Sequence, residues 1–366
     1  MKKILFAVQL PPPVHGASLV NKTLVDNEKI KLKYELDILE IQLANNMEDL
    51  GGFSIRKIIN AFNIFFKLFK KLFKNNYDLV YFTLSPLGFA FYKDVVLIFI
   101  IKLFKKKIVF HLHGKGIKDE LKSSFKKKIY QKVFKNTNVI QLAEVLYNDI
   151  KDVYNEKPFI LPNGIINSKV VSLHNKRENK IPTFIYLSNL MKDKGVLIFL
   201  EAISKIQNKE KEFQVYILGP SADITIEEIR CFIAKHDINN VEVVGSVYGE
   251  DKYVYLRKSD IFVLPTYYRN ECFPLTILEA FQAGLAIIST DNGAIPDIVK
   301  DEVNGFIIPM KEVDCLVNKM IYLMENKEVL ETIKSANLLK FQENYTEEIF
   351  IDNFIKIMDC ILINKE

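Results

Sequence analysis

Short apolar runs alternate with helix-like segments along the whole chain, and this alternation constrains the fold more than any other feature. Residues 4–8, Ile108–Leu112 and Ile261–Leu264 are examples, and each run leads into a polar loop and then a helical pattern. Short apolar runs that alternate with helices are typical of parallel β-sheets whose two faces are covered. The sequence therefore predicts an α/β fold in both halves.

The length of the chain predicts more than one domain. A chain of 366 residues is long for a single hydrophobic core and suits two domains of ordinary size. Residues 168–180 are polar, mixed in charge and without periodicity, which is typical of a linker. We predict one domain over residues 1–170 and a second over residues 181–346.

The cysteine pattern and the lengths of the apolar runs indicate the cellular compartment in which the protein acts. The four cysteines form no CxxC pair and no metal-like spacing with the five histidines. A reduced, cytoplasmic setting without a structural metal is the simplest interpretation. No uncharged apolar run approaches the roughly 20 residues that span a bilayer, which leaves a peripheral position at the inner face of the plasma membrane open.

The charge is unevenly distributed along the chain. Residues 1–170 carry 28 Lys and Arg against 15 Asp and Glu, whereas the remainder carries 22 against 30. A basic half is compatible with nucleic acid, with anionic lipid or with a solvated lysine-rich surface. Because the lysines are interleaved with phenylalanine and isoleucine, and no nucleic-acid-binding motif is present, we favour a membrane surface over nucleic acid.

One segment of the basic half has a strong helical period. Its apolar residues recur at steps of three and four, and lysines gather at its C-terminal end. One interpretation is a helix in a membrane interface, and the other, which we favour structurally, is an α/β crossover helix. The apolar positions predicted on one face are Ile58, Phe62, Phe65, Phe66, Phe69, Leu72 and Phe73.

A loop with two acidic residues links a strand and a helix in the second half. The run Ile261–Leu264 leads into it, Glu271 lies within it, and a helix is predicted to open at Pro274 and to contain Glu279. The N-terminus of a helix at a sheet edge suits a phosphate, and a nearby carboxylate accepts hydrogen bonds from hydroxyls. The alternative is two solvated carboxylates without a ligand.

The segment from Glu271 to Glu279, with Pro265 and Thr266 before it and Gly284 after it, resembles the E-x7-E motif of retaining glycosyltransferases of family 4. Further segments in the same order strengthen the resemblance, and they cover nearly all of the second half. The resemblance implies a GT-B fold, with two facing Rossmann-like domains and a C-terminal helix, residues 347–366, that returns to the first domain.

The resemblance also implies a donor site in the second domain. Glu271 would bind hydroxyls of the donor sugar and Glu279 the ribose. Lys194, followed by a glycine, would hold the diphosphate, whereas Asn189 stands where the family has an arginine, so that one cationic ligand is replaced by a neutral one. The other residues implied in donor binding are Cys272, Phe273, Pro274, Leu275 and Thr276 in the motif, and Ser246 and Val247 beside the nucleobase.

Two loops of the first domain carry the remaining implied site residues. Gly16 matches a glycine loop beneath the donor diphosphate, with His15 adjacent, and His113 matches a histidine that contacts the donor sugar. Alternation along the strand sends His111 and His113 to the same face. A two-histidine metal site lacks suitably spaced carboxylates. The resemblance implies that His113 and Glu271 are the catalytic residues.

The resemblance implies a retaining, metal-independent glycosyltransferase without a cofactor. The donor would be a nucleotide-diphosphate sugar, UDP- or GDP-linked, and the acceptor a hydroxyl of a glycan or a lipid-linked molecule in bacterial surface polysaccharide or lipopolysaccharide synthesis. An anionic membrane is a further expected partner and nucleic acid is not. The alternatives are a GT-B sugar-nucleotide epimerase and a non-catalytic sugar- or nucleotide-binding protein.

Overall fold

The computed structural model describes residues 1–42, 55–168, 181–207, 209 and 212–363. The chain divides into two compact units, one of Met1–Asn163 with Phe350–Glu366 and one of Gly164–Ile349. Apart from Ser168, the linker predicted at residues 168–180 lies outside the described residues. Within the described ranges, no helix combines the length and the apolar character that crossing a membrane requires.

Unit 1 is a parallel α/β sheet of six strands. Their order is β2-β1-β3-β4-β5-β6, and every pairing is parallel. The strands are β1 (Lys2–Val8), β2 (Tyr34–Glu40), β3 (Leu79–Thr83), β4 (Ile108–Leu112), β5 (Asn138–Gln141) and β6 (Phe159–Ile160). The helices are α1 (Gly16–Asp26), α2 (Glu28–Lys33), α3 (Ile55–Lys74), α4 (Gly88–Leu103), α5 (Ile117–Glu120) and α6 (Ser124–Phe134), with a 3₁₀ turn at Glu144–Asp149.

Alternate residues of β1 and β3 face two different helix layers of unit 1. Leu5 and Phe82 belong to the apolar core that includes the inward residues of α3 and α4. Phe6 and Tyr81 point the other way, where Phe354 of the last helix packs at ring distances of 6.3 and 5.5 Å. The strands are therefore buried on both sides, which explains why they appear in the sequence as continuous apolar runs.

Helix α3 corrects the prediction for its apolar face. Ala61, Ile64, Leu68 and Leu72 are its buried residues, whereas four of the seven positions predicted on the apolar face, Phe62, Phe66, Phe69 and Phe73, are exposed. Small and aliphatic side chains pack on the sheet, and the phenylalanine stripe lies roughly 100° further round the helix. The crossover interpretation is confirmed, but the aromatic stripe is not what holds the helix to the sheet.

Unit 2 repeats the architecture with six further parallel strands. Their order is β12-β11-β10-β7-β8-β9. The strands are β7 (Thr183–Leu187), β8 (Gln214–Leu218), β9 (Val241–Gly245), β10 (Ile261–Leu264), β11 (Ala286–Thr290) and β12 (Gly305–Ile308). The helices are α7 (Val196–Gln207), α8 (Ile226–Lys235), α9 (Asp251–Arg257), α10 (Leu275–Gln282), α11 (Ile295–Ile298), α12 (Val313–Glu325) and α13 (Lys327–Asn344), and α14 (Glu347–Ile363) continues into unit 1.

The strand order of each sheet reverses at one point. In unit 1 the reversal lies between β1 and β3, and in unit 2 between β7 and β10. Open α/β sheets bind ligands in the crevice outside the carboxyl ends of the strands at such a point. In unit 2 the loops that follow β7 and β10 contain Lys194 and Glu271, so the topology brings the two predicted donor-site loops together.

Candidate active site

The loops after β7 and β10 are locked against each other in unit 2. The carbonyl oxygen of Asp193 accepts a hydrogen bond from the Tyr267 N–H at 2.8 Å, and the Thr266 hydroxyl oxygen lies 3.3 Å from the same carbonyl oxygen. Gly195 has a φ of +86°, and a Cβ atom there would lie 2.2 Å from the carbonyl oxygen of Pro265. Only glycine fits this approach, which fixes the position of the neighbouring Lys194.

A buried cluster of Lys194, Thr266 and Glu271 lies at this junction. The Nζ atom of Lys194 is 2.7 Å from Oε2 of Glu271, and the Thr266 hydroxyl donates to the same oxygen at 3.1 Å. Lys194 also lies over the ring of Tyr268, at 4.8 Å from its centroid. A cation and a carboxylate are thus held in fixed positions at the edge of the sheet. Their interactions with a charged ligand are stronger there than in bulk water, because the two side chains are partly shielded from solvent.

The backbone around Glu271 is held as firmly as its side chain. The Glu271 N–H donates to the carbonyl oxygen of Tyr268 at 2.9 Å, and the Asn292 side-chain amide donates to that same oxygen at 2.9 Å. Gly293 has a φ of +60°, and a Cβ atom on it would lie 2.3 Å from the Glu271 carbonyl oxygen. These contacts fix the backbone of the Glu271 loop against the neighbouring loop that contains Asn292 and Gly293.

Helix α10 starts one residue later than predicted. It begins at Leu275, and Pro274 is its N-cap in an extended conformation with no side-chain capping bond. The Cys272 and Phe273 side chains are buried, and the Phe273 ring packs near Tyr345 at 6.3 Å. Because these side chains are buried, the segment from Cys272 to Thr276 can bind an anion or a hydroxyl through its backbone. The first helical N–H groups, at Leu275 and Thr276, are among the groups available.

Glu279 is paired with a lysine that the sequence analysis missed. The Nζ atom of Lys252, on α9, lies 2.6 Å from Oε1 of Glu279. Burial raises the pKa of the Glu279 carboxyl, and the Lys252 ammonium opposes that rise. Lys252 therefore helps Glu279 to remain ionised. The one indication in the sequence that Lys252 lies near the site is its position directly after the β9 loop, which the resemblance implies in nucleobase binding.

Asn189, Ser246 and Val247 follow β7 and β9 at the same carboxyl edge of the sheet. Asn189 and Val247 are half-buried and Ser246 is exposed. Gly219 packs so closely here that a Cβ atom on it would lie 1.8 Å from the Ser188 carbonyl oxygen. The structure thus brings the β7, β9 and β10 loops of the prediction to one edge, with Asn189 beside the strand-reversal point.

Tyr186 is a second residue that sequence reasoning missed. Its ring stacks near Phe199 at 6.0 Å, and its hydroxyl is buried. Burial raises the pKa of the Tyr186 hydroxyl, a hydrogen bond with Ser188 opposes the rise, and the nearby Glu271 carboxylate adds to it. A tyrosine inside a buried strand gives no sequence signal, because it is indistinguishable from a core residue.

The predicted residues of unit 1 follow the carboxyl ends of β1 and β4. His15 is the N-cap of α1, with its Nδ1 accepting the Ser18 N–H at 3.3 Å, and Gly16 is the first helical residue. The ring of His113 lies 4.0 Å from that of His111, whose Nδ1 is 2.6 Å from the Tyr81 hydroxyl oxygen. His111 and His113 therefore share a face, as strand alternation predicts.

The histidines of unit 1 are kept neutral by their surroundings. Burial, and secondarily the charge of His15, lowers the pKa of His113 to about 3, and burial lowers the pKa values of His111 and His15. Among the described residues, the buried Nε2 of His113 has no hydrogen-bond partner. A neutral imidazole with an open nitrogen can donate to, or accept from, a ligand hydroxyl.

The described ranges contain no group of three or more His, Cys, Asp and Glu side chains that could hold a metal ion.

Comparison with known proteins supports the glycosyltransferase interpretation. Residues 172–338 match the family model described as glycosyl transferases group 1. The chain is 26% identical to the O-antigen chain mannosyltransferase C of Escherichia coli over 183 residues, which are 50% of this chain and 47% of that protein. The match therefore spans about half of that relative's length.

Solved structures support the fold over the entire chain. A glycosyltransferase from Rickettsia africae ESF-5 superposes with a TM-score of 0.77 at 17% identity, covering 100% of this chain and 99% of that one. HepE of Anabaena in complex with UDP-glucose gives a TM-score of 0.71 at 16% identity, covering 98% and 100%. The two units thus have the GT-B fold. The segment that matches the group 1 glycosyltransferase model covers most of unit 2, so this part of the chain is similar to that family.

Proposed function

We propose that this protein is a retaining, metal-independent glycosyltransferase. It transfers a sugar from a nucleotide-diphosphate sugar, UDP- or GDP-linked, to a hydroxyl of a glycan or lipid-linked acceptor in bacterial surface polysaccharide or lipopolysaccharide synthesis. The similarity to an O-antigen mannosyltransferase and the fold shared with a UDP-glucose complex support this choice of substrates. The enzyme would act in the cytoplasm, peripherally at the inner face of the plasma membrane.

The cluster of Lys194, Thr266 and Glu271 carries the proposal. It combines an ammonium group for a diphosphate with a carboxylate for sugar hydroxyls, 2.7 Å apart at the strand-reversal point of unit 2. A phosphorylated sugar needs both groups within a few ångströms. Gly195 and Gly293 allow the close backbone contacts that fix this cluster. An ion pair with a purely structural role, or a solvated loop, would not require such contacts.

In the proposed reaction the donor's bond between C1 and the phosphate oxygen breaks, and a bond from C1 to the acceptor oxygen forms on the same face of the sugar. The acceptor proton passes to an oxygen of the departing diphosphate. Lys194 and the N-terminus of α10 stabilise the negative charge that develops on that diphosphate, because both are in place before the reaction.

The other predicted residues take positioning roles in this proposal. Glu271 holds donor-sugar hydroxyls, helped by backbone N–H groups of Phe273, Leu275 and Thr276. Glu279, kept ionised by Lys252, binds the ribose hydroxyls. His113, in unit 1, contacts the donor sugar through its open Nε2 atom. Ser246 and Val247 present backbone atoms to the nucleobase, and Gly16 allows close approach of backbone to the diphosphate.

The test is a panel of UDP- and GDP-sugars, with lipid extracts and short glycans as acceptors. Products are analysed for a new glycosidic bond and its anomeric configuration. We expect transfer from one nucleotide family with the donor's configuration retained, and a loss of at least about 100-fold in Lys194→Met, because the removed charge stabilises the transition state. Chelator should leave the rate unchanged.

In Glu271→Gln the rate should fall at least about 100-fold, because the sugar hydroxyls lose their anionic acceptor. Glu227→Gln, which alters an exposed carboxylate on α8, is the matched control and should retain the wild-type rate. Inverted product would overturn the retaining mechanism. Conversion of a sugar nucleotide without any acceptor would support the epimerase alternative. Nucleotide binding without turnover across the panel would support a non-catalytic binding protein.

A further inference from the structure

Two helices of unit 1 expose apolar stripes with the same spacing. The stripe residues of both helices follow one another at steps of three, four, three and four. Phe66, Phe73 and Leu103, for example, are 69%, 75% and 76% exposed. The stripe of α3 is Ile59, Phe62, Phe66, Phe69 and Phe73, and that of α4 is Phe89, Tyr92, Val96, Phe99 and Leu103. We call this surface the aromatic face.

The aromatic face is separate from the surface that holds the two helices to the sheet. Ile64 and Leu68 of α3, like Leu97 and Ile98 of α4, are buried in the core of unit 1. The stripes therefore contribute little to folding, and exposing this much apolar surface to water is unfavourable. A patch of this kind on a folded protein marks an interaction surface.

The stripes belong to one continuous surface. Helices α3 and α4 are neighbours, and the ring of Phe69 meets that of Phe104 edge to face at 5.4 Å. Helix α6 lies beside α4 and adds Phe125, which is 71% exposed. The aromatic face is thus a broad surface formed by several helices. It does not have the shape of a groove that binds a single peptide helix.

Charge distinguishes between the occupants of this face. Between positions 55 and 107 the sequence contains eleven lysines and arginines but only two carboxylates, Asp78 and Asp94. Asp94 is fully buried, and Asp78 pairs with Lys2. The exposed lysines Lys67, Lys70 and Lys74 adjoin the α3 stripe. A second copy of the chain would place lysines against lysines, which is repulsive, whereas anionic lipid headgroups neutralise them.

We propose that the aromatic face docks on an anionic lipid bilayer, with the phenylalanines in the interface and the lysines at the phosphate level. The inference deepens the proposed function by naming the surface at which a lipid-linked acceptor is met, and it rests on that function for the identity of the acceptor. Binding to the bilayer itself stands on the aromatic face alone.

The direction of the helices fits this use. Helices α3 and α4 follow β2 and β3, so that their N-terminal ends lie at the carboxyl edge of the sheet, where His15 and His113 are. The stripes start near this edge, at Ile59 and Phe89. A bilayer on the aromatic face would therefore present a lipid-linked acceptor close to the predicted substrate edge.

The test is co-sedimentation of the full chain with vesicles of phosphatidylglycerol and phosphatidylcholine, compared with vesicles of phosphatidylcholine alone, at about 0.1 M salt. We expect binding to the anionic vesicles and much weaker binding to the neutral ones. Phe66→Ser with Phe73→Ser should weaken binding roughly tenfold or more, because two interfacial anchors are lost. Lys67→Glu with Lys70→Glu should weaken it at least about 25-fold, about fivefold for each charge removed.

Matched controls come from unit 2. Val303→Ser with Leu339→Ser removes two exposed apolar side chains, and Lys209→Glu with Lys235→Glu reverses two exposed charges. Both control variants should bind vesicles as the wild type does. Thermal unfolding of each variant establishes that it is folded, and nucleotide binding by unit 2 should be unchanged in all of them.

The docking proposal would be overturned if the wild type ignored anionic vesicles, or if stripe and control variants bound them equally. A dimer in solution that the Phe66 and Phe73 substitutions dissociate would identify a second copy as the occupant and would also overturn it. Transfer to a soluble acceptor without vesicle binding would support the proposed function and overturn only the docking proposal. Vesicle binding without any transfer would support the docking proposal and count against the proposed function.

Discussion

The Nζ atom of Lys194 lies 2.7 Å from Oε2 of Glu271, although 77 positions of sequence separate the two residues. Both side chains are largely buried, so the pair has lost most of its hydration, and such a loss is seldom repaid by the pairing alone. In the absence of a donor, each charge satisfies the other. A diphosphate would compete with Glu271 for Lys194, and the sugar hydroxyls would compensate Glu271.

This competition predicts opposite effects for one substitution. In Glu271→Gln the carboxylate that holds Lys194 is gone, so we expect nucleoside diphosphate alone to bind as tightly as in the wild type or more tightly. Transfer should fall at least about 100-fold, because the sugar hydroxyls lose their anionic acceptor. Calorimetric titration and initial rates measure the two effects. A parallel loss of nucleotide affinity and rate would show that Glu271 acts only in shaping the loop.

The Lys252–Glu279 pair predicts a pH-dependent variant. Burial raises the pKa of Glu279 and Lys252 opposes the rise, so Lys252→Met should raise that pKa further. An acid with a raised pKa becomes ionised only at higher pH. Nucleotide affinity in Lys252→Met should therefore improve as the pH rises, and over a higher pH range than in the wild type.

Glu279→Gln provides the control for this titration, because it has no carboxyl to ionise. Its nucleotide affinity should be low and independent of pH between 6 and 8.5. If Lys252→Met were equally independent of pH, ionisation of Glu279 would not govern nucleotide binding. Calorimetric titration at three pH values is sufficient to decide.

The architecture was readable from the sequence because it depends on patterns that survive in one dimension. Strands buried on both faces appear as short apolar runs, and Ile108–Leu112 and Ile261–Leu264 begin and end where the runs predict. Strand β2, with its mixed Tyr34–Glu40 composition, was missed, because an edge strand shows no continuous apolar run. The helix start at Leu275 was misplaced by one residue because proline is equally acceptable at N1 and at the N-cap.

The site was readable only as far as short motifs reach. The sequence placed Lys194 and Glu271 in two loops, but their ion pair depends on the strand order, in which β10 lies beside β7. Lys252 and Tyr186 carry no motif, and only the fold brings Lys252 to Glu279. The sequence did not show that the phenylalanine stripe of α3 faces away from the sheet. The helix has two apolar faces, and the spacing of apolar residues does not indicate which of them packs on the strands.

The buried histidines of unit 1 predict a loss of stability in mild acid. The pKa of His113 is lowered to about 3, so below pH 6.5 the unfolded chain binds a proton that the folded chain does not. The free energy of unfolding should then fall by about 1.4 kcal/mol for each pH unit below 6.5 for this one residue. His113→Gln should flatten the slope of stability against pH by that amount.

The measurement is urea unfolding followed by circular dichroism between pH 7.5 and 5. His236→Gln, which replaces an exposed histidine of unit 2, is the control for the substitution itself. His111 and His15, whose pKa values are also lowered, should maintain part of the slope in His113→Gln. The same slope in His113→Gln and the wild type would contradict the assignment.

Asn189 offers a test by gain of function. It is half-buried beside the loop of Lys194, where the resembled family has an arginine. Asn189→Arg adds a guanidinium that can bind a phosphate through two parallel hydrogen bonds, and a charge-assisted bond contributes about 1.5 to 3 kcal/mol. We therefore expect nucleoside diphosphate to bind about 10- to 100-fold more tightly, measured by calorimetric titration.

The matched ligand is the corresponding nucleoside, which lacks phosphates and should bind Asn189→Arg and wild type alike. Asn189→Gln, which adds length without charge, should not reproduce the gain. If Asn189→Arg tightened nucleoside and diphosphate binding equally, the added side chain would be acting by contact rather than by charge. If it tightened neither, the diphosphate would not approach the β7 loop, and the role proposed for Lys194 would fall with that result.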